Sequence, residues 1–219
     1  MILCIETATK NCSVALIDQG EILASKELND GGYSHGEFLH VFIKELMELT
    51  GTAMSDLQAV AVSKGPGSYT GLRIGVSAAK GICFSVGCPL ISVNTLEVLA
   101  AGVKETEGLR VGVLDARRDE VYRAVYDSEL NIVEDTSAHV LTEDSFKEYK
   151  EPLIFIGDAT EKVSNFVGFE GTVFYPKTFP TAMDLGRIAE KKFELNQFED
   201  VAYFEPFYLK DFKVTPSKK

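Results

Sequence analysis

The sequence predicts an α/β protein with two subdomains, each built from a mixed β-sheet flanked by helices. Three observations support this prediction. Short apolar segments of strand length alternate with longer segments of helical periodicity, short turns join neighbouring strands, and a polar link near the middle separates two series of elements. At 219 residues, with 45% hydrophobic and 25% charged composition, the chain is long enough to bury a full core.

The first half of the chain begins with three strands and continues with alternating helices and strands. Strands are predicted at 1–7, 12–18 and 21–28, the last two joined by a turn at Asp18-Gln-Gly20. The following elements are a helix at 34–50, a strand at 59–63, a helix at 68–86, a strand at 89–93 and a short helix at 95–101. This βββαβαβα order is that of the ribonuclease H-like fold of actin-like and sugar-kinase-like (ASKHA) proteins, so we predict a first subdomain at 1–103.

Residues 104–219 are predicted to form an abbreviated second ribonuclease H-like subdomain with a C-terminal tail. After the polar link at 104–108, residues 109–127 alternate as two strands around Arg117-Arg-Asp119, which predicts a hairpin. Later strands are predicted at 153–156 and 172–174, and helices at 160–166 and 181–194. Thr181 and Asp184 are expected to cap the last helix.

The composition argues against several classes of protein. A formal charge of -11 opposes an independent nucleic-acid binder, and we interpret the basic tail from Lys210 to Lys219 as a solvated end. No apolar run reaches the roughly 20 residues of a membrane-spanning helix and the N-terminus lacks a basic start, so we expect a cytoplasmic protein without membrane contact. The four cysteines show no CxxC spacing and are expected to be buried and reduced.

A glycine-rich turn, Gly65-Pro-Gly-Ser-Tyr-Thr-Gly-Leu-Arg-Ile-Gly75, joins the predicted strand at 59–63 to the helix at 68–86. Such a turn presents unpaired amides at a helix N-terminus and suits anions. Its glycines do not match the GxGxxG spacing, however, and no Lys-Ser or Lys-Thr pair completes a P-loop. Gly67, Gly71 and Gly75 instead recur every four residues, which predicts a face without side chains where another helix packs closely. We therefore expect this face to bind a protein.

Two groups of polar residues are candidates for contact with a nucleotide or another polar ligand. Thr7, Thr9 and Lys10 lie in the turn between the first two strands, where actin-like ATPases hold phosphates. Glu6 stands there in place of a shorter Asp, and no glycine allows close approach of the backbone, so an ordinary strand turn is the competing interpretation. Asp115, at the end of the strand before the predicted hairpin, is the other candidate, with simple solvation as its alternative.

Residues suited to metal binding or covalent catalysis are scarce. The histidines are His35, His40 and His139, and the first two lie about 140° apart around a helix axis, so they do not share one face. The chain has no i,i+4 histidine pair and no Asp-rich calcium loop, so we expect no intrinsic metal. Ser68 lies outside a GxSxG motif and is expected to cap the helix that follows it.

Several segments together resemble the TsaB (YeaZ) family, and the resemblance runs nearly from end to end. They are Met1-Ile-Leu-Cys-Ile-Glu-Thr-Ala-Thr9, the glycine-rich turn, Ala79-Lys-Gly81, Asp115-Ala-Arg-Arg-Asp-Glu-Val-Tyr122 and Pro206-Phe-Tyr-Leu-Lys210. The glycine motif and the Asp-Ala-Arg hairpin are specific in combination. The resemblance implies a subunit of the bacterial machinery that makes threonylcarbamoyladenosine in tRNA, on the adenosine beside the anticodon.

The resemblance also implies partners and a missing catalytic centre. The family works with a catalytic paralogue, TsaD, and a P-loop ATPase, TsaE; it forms a homodimer in isolation and meets tRNA only through the complex. The complex uses ATP, and weak nucleotide binding at the subunit boundary is implied. The segment 89–100 is similar to a TsaD segment with two metal-binding histidines, but Thr95 and Leu99 stand in their positions. We therefore expect a non-catalytic scaffold or activating subunit, with Thr95 capping a helix and Leu99 in the core.

The family pairs through the first two helices of its amino-terminal subdomain, which correspond here to 34–50 and 68–86. The helix at 34–50 has apolar residues over more than one face, too wide for burial against its own sheet alone. The predicted partner-interface residues are Phe38, Phe42, Leu46, Gly67, Tyr69, Gly71, Ile74 and Gly75. Burial of each residue in the chain's own core is the alternative. An actin-like ATP-dependent kinase or ATPase that uses Thr7, Thr9 and Asp115 is the alternative function.

Overall fold

A computed structural model describes residues 1–29, 31–32, 35–104 and 107–210, which form two five-stranded sheets with flanking helices. The first sheet contains β1 (Ile2–Glu6), β2 (Cys12–Asp18), β3 (Glu21–Leu28), β4 (Ala59–Gly65) and β5 (Leu90–Asn94). The second contains β6 (Leu109–Asp115), β7 (Glu120–Tyr126), β8 (Ile132–Val140), β9 (Leu153–Gly157) and β10 (Val173–Pro176). The helices are α1 (His35–Thr50), α2 (Tyr69–Val86), α3 (Thr95–Ala101), α4 (Thr160–Ser164) and α5 (Ala182–Glu194).

The two sheets have the same topology. In the first sheet the order is β3-β2-β1-β4-β5, with β1, β4 and β5 parallel and with β2 and β3 antiparallel to their neighbours. The second sheet repeats this pattern as β8-β7-β6-β9-β10, with β6, β9 and β10 parallel. The predicted ribonuclease H-like architecture, with two mixed sheets flanked by helices, is confirmed.

Both hairpin turns occur at the positions predicted from the sequence. Gln19 and Gly20 adopt positive φ angles of 49° and 85°, the backbone that a two-residue hairpin needs to match the twist of its strands. Arg117 and Arg118 also have positive φ, 70° and 51°, between β6 and β7. A non-glycine residue with this backbone is uncommon, so the second turn depends on the strand pairing around it.

Helices cover both faces of the first sheet. Leu39 of α1 and Val76 of α2 share a buried cluster with β1, β2 and β4, while Leu185 of α5 packs on the opposite face. The predicted boundary at 103/104 falls between the sheets, but α5 lies beyond it in sequence and returns to the first sheet. Ser13 Oγ accepts a hydrogen bond from Ala182 N–H (2.9 Å), which anchors the start of α5 beside β2.

The short helix α3 lies between the two sheets. Val98 packs with α5, whereas Leu96 and Leu99 pack with β6, β7 and β9 of the second sheet. A Cβ atom added to Gly112 of β6 would lie 2.8 Å from the Leu96 carbonyl oxygen, so the glycine permits this close contact. The two subdomains therefore share an apolar helix.

Two elements were missing from the sequence prediction, namely β8 and a 3₁₀ turn at Met54–Asp56. The predicted start of the first helix at Ser34 and the tail residues Lys213, Lys218 and Lys219 lie outside the described residues. All four cysteines are buried free thiols, as predicted. Among the described residues, no helix combines the length and apolar character that a membrane span requires.

Candidate functional site

The glycines of the α2 turn lie on one face, as their spacing predicts, but the chain itself covers that face. A Cβ atom on Gly71 would lie 2.1 Å from Thr7 O, one on Gly75 would lie 2.2 Å from Thr7 Oγ1, and one on Gly67 would lie 2.2 Å from Ala8 O. The missing side chains allow the β1–β2 turn to press against α2. The prediction that this stripe is open to a partner helix is wrong, because the chain's own turn fills it.

Hydrogen bonds fasten the β1–β2 turn to the start of α2. Thr7 Oγ1 donates to Gly71 O (2.8 Å), and Ser68 N–H donates to Ala8 O (2.7 Å). The Ser68 hydroxyl oxygen accepts from Gly71 N–H (3.2 Å), which confirms the predicted helix cap. The amides that an anion would need at this helix start are therefore partly engaged within the chain.

The far side of the same turn is fastened to α1. The Thr9 carbonyl oxygen lies 2.7 Å from His35 Nε2, and Thr9 Oγ1 accepts a 3.3 Å hydrogen bond from Asn11 N–H. Thr7 and Thr9 are buried, whereas Lys10 is exposed. The two threonines predicted to contact a nucleotide thus hold the turn together. His35, whose role was not predicted from the sequence, connects α1 to this turn.

Glu6, at the end of β1, is a fully buried carboxyl group beneath this turn. It accepts hydrogen bonds from Ser63 Oγ on β4 and from Ala8 N–H (2.7 Å). Burial raises the pKa of Glu6 to about 7, and these hydrogen bonds oppose the rise. Glu6 therefore connects β1, β4 and the turn, and its charge changes near neutral pH.

Asp115 lies at the end of β6, in the second sheet. It pairs with the Lys162 ammonium and accepts from Arg117 N–H (2.8 Å), while its own N–H donates to Asp158 (3.0 Å). Partial burial is the largest single effect and works against ionisation, but the hydrogen bonds and charges of Lys162 and Arg117 together outweigh it and hold the pKa of Asp115 below its usual value. Burial raises the pKa of Asp158, and the charge of Lys10 opposes this. Lys10 and Asp115, two of the four predicted ligand contacts, thus both interact with Asp158.

The outer face of α1 and α2 is apolar and only partly covered. Phe38 and Phe42 of α1 are half-buried with their ring centroids 5.7 Å apart, and Ile74 of α2 is also half-buried. Leu46 is fully buried in the chain's own core, so its prediction as an interface residue is wrong. Tyr69 contacts the Tyr208 ring, at 5.0 Å between centroids, and is half-buried beneath it.

Three further residues belong to this face and were missing from the predicted set. Val41 on α1 is 45% exposed, and Ile82 on α2 is half-buried beside α1. A Cβ added to Gly81 would meet nothing within 4 Å, so this is the glycine that leaves room for a partner. Ile82 lines a groove of about 510 Å³ together with Ile43, Met47 and other residues near the C-terminal end of α1. The wide apolar pattern of α1 indicated this face from the sequence. Its residues on α2 were identified only from the packing in the structure.

The α3 segment contains the two positions where the resembling transferase segment has histidines. Thr95 and Leu99 are both buried, Thr95 completely, and Leu99 packs between α3 and the second sheet as predicted. Asn94, rather than the predicted Thr95, caps the helix, because Asn94 Oδ1 accepts from Leu96 N–H (2.9 Å). In the described ranges, no three His, Cys, Asp or Glu side chains converge as metal ligands.

Comparisons with known proteins agree with this architecture. The sequence model of a family described as TsaD, tRNA N6-adenosine threonylcarbamoyltransferase, matches residues 29–211. The chain is 32% identical to the tRNA threonylcarbamoyladenosine biosynthesis protein TsaB of Escherichia coli, over 100% of this chain and 99% of that protein. It is 30% identical to the Bacillus subtilis protein of the same name, over 95% and 93%. The solved structure of YeaZ from Pseudomonas aeruginosa superimposes with a TM-score of 0.86 at 24% identity, covering 95% of this chain and 99% of that one, which shows the same fold.

Proposed function

Because the chain belongs to the TsaB (YeaZ) family, we propose that it is a non-catalytic subunit that binds and activates a TsaD-type transferase through the outer face of α1 and α2. Family membership places the chain in tRNA threonylcarbamoyladenosine biosynthesis. The finer proposal is that TsaE, ATP and tRNA act on the assembled complex. In isolation, the same face pairs two copies of the chain.

The observation that carries this proposal is the apolar face described above. Phe38, Val41 and Phe42 on α1 and Ile74 and Ile82 on α2 are all partly exposed, and none of them is fully buried within the chain. Aromatic and aliphatic side chains of this kind form the centres of protein interfaces. The open space at Gly81 allows a partner helix to approach the α2 backbone.

The family model supports a partner of the same fold. A model described as TsaD matches residues 29–211, a range that includes both helices of the proposed face. Two chains that share this domain can meet through equivalent helix pairs related by an approximate two-fold axis. Such a contact would consist of four helices, two from each subunit.

Burial of Thr95 and Leu99 supports the non-catalytic part of the proposal. A transferase metal centre at these positions would need two imidazoles on one helix face, whereas this chain has one hydroxyl and one hydrocarbon there. Leu99 also packs against the second sheet. The alternative ATP-dependent enzyme gains no support from Thr7 and Thr9, because both are buried in the β1–β2 turn.

Binding to the transferase is tested with two matched variants. Val41→Lys places a charge on the proposed face, where Val41 is 45% exposed, and Ile132→Lys places one on β8, where Ile132 is 62% exposed. Because a buried unpaired charge is costly, we expect Val41→Lys to weaken binding to a TsaD-family transferase about tenfold or more in calorimetry. Ile132→Lys should bind like the wild type. Equal affinities for all three proteins would contradict the proposed face.

Catalysis is tested with tRNA and threonylcarbamoyl-adenylate. The chain alone should form no threonylcarbamoyladenosine, whereas addition of the transferase and the TsaE ATPase should restore the product. Repeated turnover by the purified chain alone would contradict the non-catalytic assignment. Val41→Lys should reduce product formation in proportion to its loss of binding.

A further inference from the structure

The segment after α5 connects three parts of the molecule. Residues 199–210, here called the C-terminal strap, form neither helix nor strand apart from a bridge in which Glu199 N–H donates to Leu90 O (2.8 Å) at the edge of the first sheet. From there the strap runs along α2, crosses the glycine turn and reaches the β6–β7 hairpin. Individual hydrogen bonds, rather than regular secondary structure, hold the strap along this path.

Lys80 fastens the strap to the middle of α2. Its ammonium group donates to the carbonyl oxygens of Ala202 (3.1 Å) and Phe204 (2.8 Å). Val201 and Phe204 pack against the buried cluster that α1 and α2 share with the first sheet. One lysine thus satisfies two strap carbonyls beside an apolar anchor.

Tyr208 fastens the strap to the start of α2. Its hydroxyl oxygen accepts from Arg73 Nε at 3.3 Å, and its ring packs on Tyr69. Arg73 in turn lies 4.3 Å above the Tyr69 ring. Arg73 and Lys80 are seven residues apart and share one helix face, so the strap follows a single flank of α2.

The end of the strap reaches the glycine turn and the second sheet. Phe207 N–H donates to Lys64 O (2.7 Å), and a Cβ on Gly65 would lie 2.5 Å from Phe207 O. Lys210 then forms an ion pair with Glu120 at the start of β7. The strap therefore links the flank of α2 to the second subdomain.

The opposite flank of α2 is held by α1. A Cβ on Gly36 would lie 4.0 Å from Ile74 Cδ1, and Ile82 lines the groove beside the end of α1. Ile74 and Ile82 lie on the same side of α2. Ile74 follows Arg73 by one residue and Ile82 follows Lys80 by two, so this side differs from the flank that the strap occupies. Helix α2 is thus packed between α1 on one flank and the strap on the other. Ser77 and Gly81 are exposed on the surface of α2 between these two flanks.

We infer that the C-terminal strap is a positioning element for the partner-binding face. It holds α2 at the spacing from α1 that the partner recognises, so partner affinity depends on strap contacts that the partner does not touch. The inference rests on the proposed function, because it concerns the regulation of the same face. Close packing transmits small displacements of a helix, and substitutions remote from a ligand change its binding accordingly.

The test replaces the lysine that holds the strap. Lys80→Met removes both hydrogen bonds and keeps the length of the side chain, Lys80→Arg restores donors, and Lys147→Met removes an exposed lysine of the second subdomain. Two quantities are measured, namely amide hydrogen exchange of residues 69–86 in the isolated chain and the Kd for a TsaD-family transferase. We expect Lys80→Met to speed exchange in α2 and to weaken binding roughly three- to thirtyfold, with recovery in Lys80→Arg and no change in Lys147→Met.

Unchanged exchange in α2, or faster exchange with unchanged affinity, would overturn the inference. If Lys80→Met does not fold, Tyr208→Ala makes the same test from the strap side and leaves the sequence of α2 intact. A wild-type chain that does not bind the transferase would overturn the proposed function instead. The exchange measurement on the isolated chain would then decide alone whether the strap holds α2.

Discussion

Glu6 is a carboxyl group in a place where its charge is poorly solvated. It is fully buried, and it accepts hydrogen bonds from the Ser63 hydroxyl and the Ala8 amide. Because burial raises its pKa to about 7, the folded protein binds this proton more tightly than the unfolded chain does. The resulting stabilisation is fully present below the ordinary pKa of glutamate and is lost as pH rises through about 7.

The substitution Glu6→Gln tests this pH dependence. One pKa unit corresponds to about 1.4 kcal/mol, so the wild type should lose on the order of 3 kcal/mol of unfolding free energy between about pH 4 and pH 8 through this group. Glutamine cannot ionise, so the variant should lack that loss and gain stability relative to the wild type as pH rises. Urea unfolding across this range provides the measurement. Parallel pH profiles for the two proteins would contradict the role of Glu6.

Single residues were predictable from the sequence where local chemistry decides their role. Ser68 and Thr181 cap helices as predicted, because the hydroxyl and the helix start are adjacent in sequence. The glycine stripe was not predictable in the same way. A spacing of four shows that Gly67, Gly71 and Gly75 share a face, but the element that covers it, the β1–β2 turn, is distant in sequence.

Helix α2 contains two kinds of glycine, and their substitution separates them. A Cβ on Gly71 would lie 2.1 Å from the Thr7 backbone, while a Cβ on Gly81 would meet open space. We expect Gly71→Ala to lower the unfolding free energy by about 1–3 kcal/mol through overpacking. We expect Gly81→Ala to raise it by up to about 1 kcal/mol, because alanine is the better helix former.

Thermal or urea unfolding of the two alanine variants gives the comparison, and each serves as the control for the other. A Gly71→Ala variant as stable as the wild type would mean that the β1–β2 turn does not press on α2. At Gly81 a larger residue should have a different consequence. Gly81→Leu should keep the fold and weaken the transferase complex, because it fills the space left for the partner helix.

The remaining elements show which sequence patterns allow a strand or a helix to be predicted. Strands β1, β4 and β9 are buried along almost their whole length because both of their faces are covered, and each was predicted within two residues of its bounds. Strand β8 was missed because it lies at a sheet edge and exposes Ile132, Val133 and Val140, so its sequence lacks a buried alternation. The return of α5 to the first sheet was also not predicted, since the periodicity of a sequence does not show which sheet a helix covers.

The whole molecule consists of two copies of one topology that share helix α3. The order of strands and helices predicted the topology of the first copy. The second copy was predicted because its elements follow a similar order along the chain. Half-buried aromatic and aliphatic residues of α1 were identified from the width of its apolar pattern, whereas Val41, Gly81 and Ile82 emerged from packing. The face is thus a property of two helices together, and the strap completes it from the far side of α2.

The central claim is that this face of α1 and α2 receives the transferase. Hydroxyl-radical footprinting of the chain, alone and with a TsaD-family transferase, tests the claim at the level of side chains. We predict protection of Phe38, Val41, Phe42 and Ile74 in the complex, with unchanged labelling of Ile132 and Val133 on β8, which are 62% and 49% exposed. Protection of β8 with unchanged labelling of α1 and α2 would contradict it.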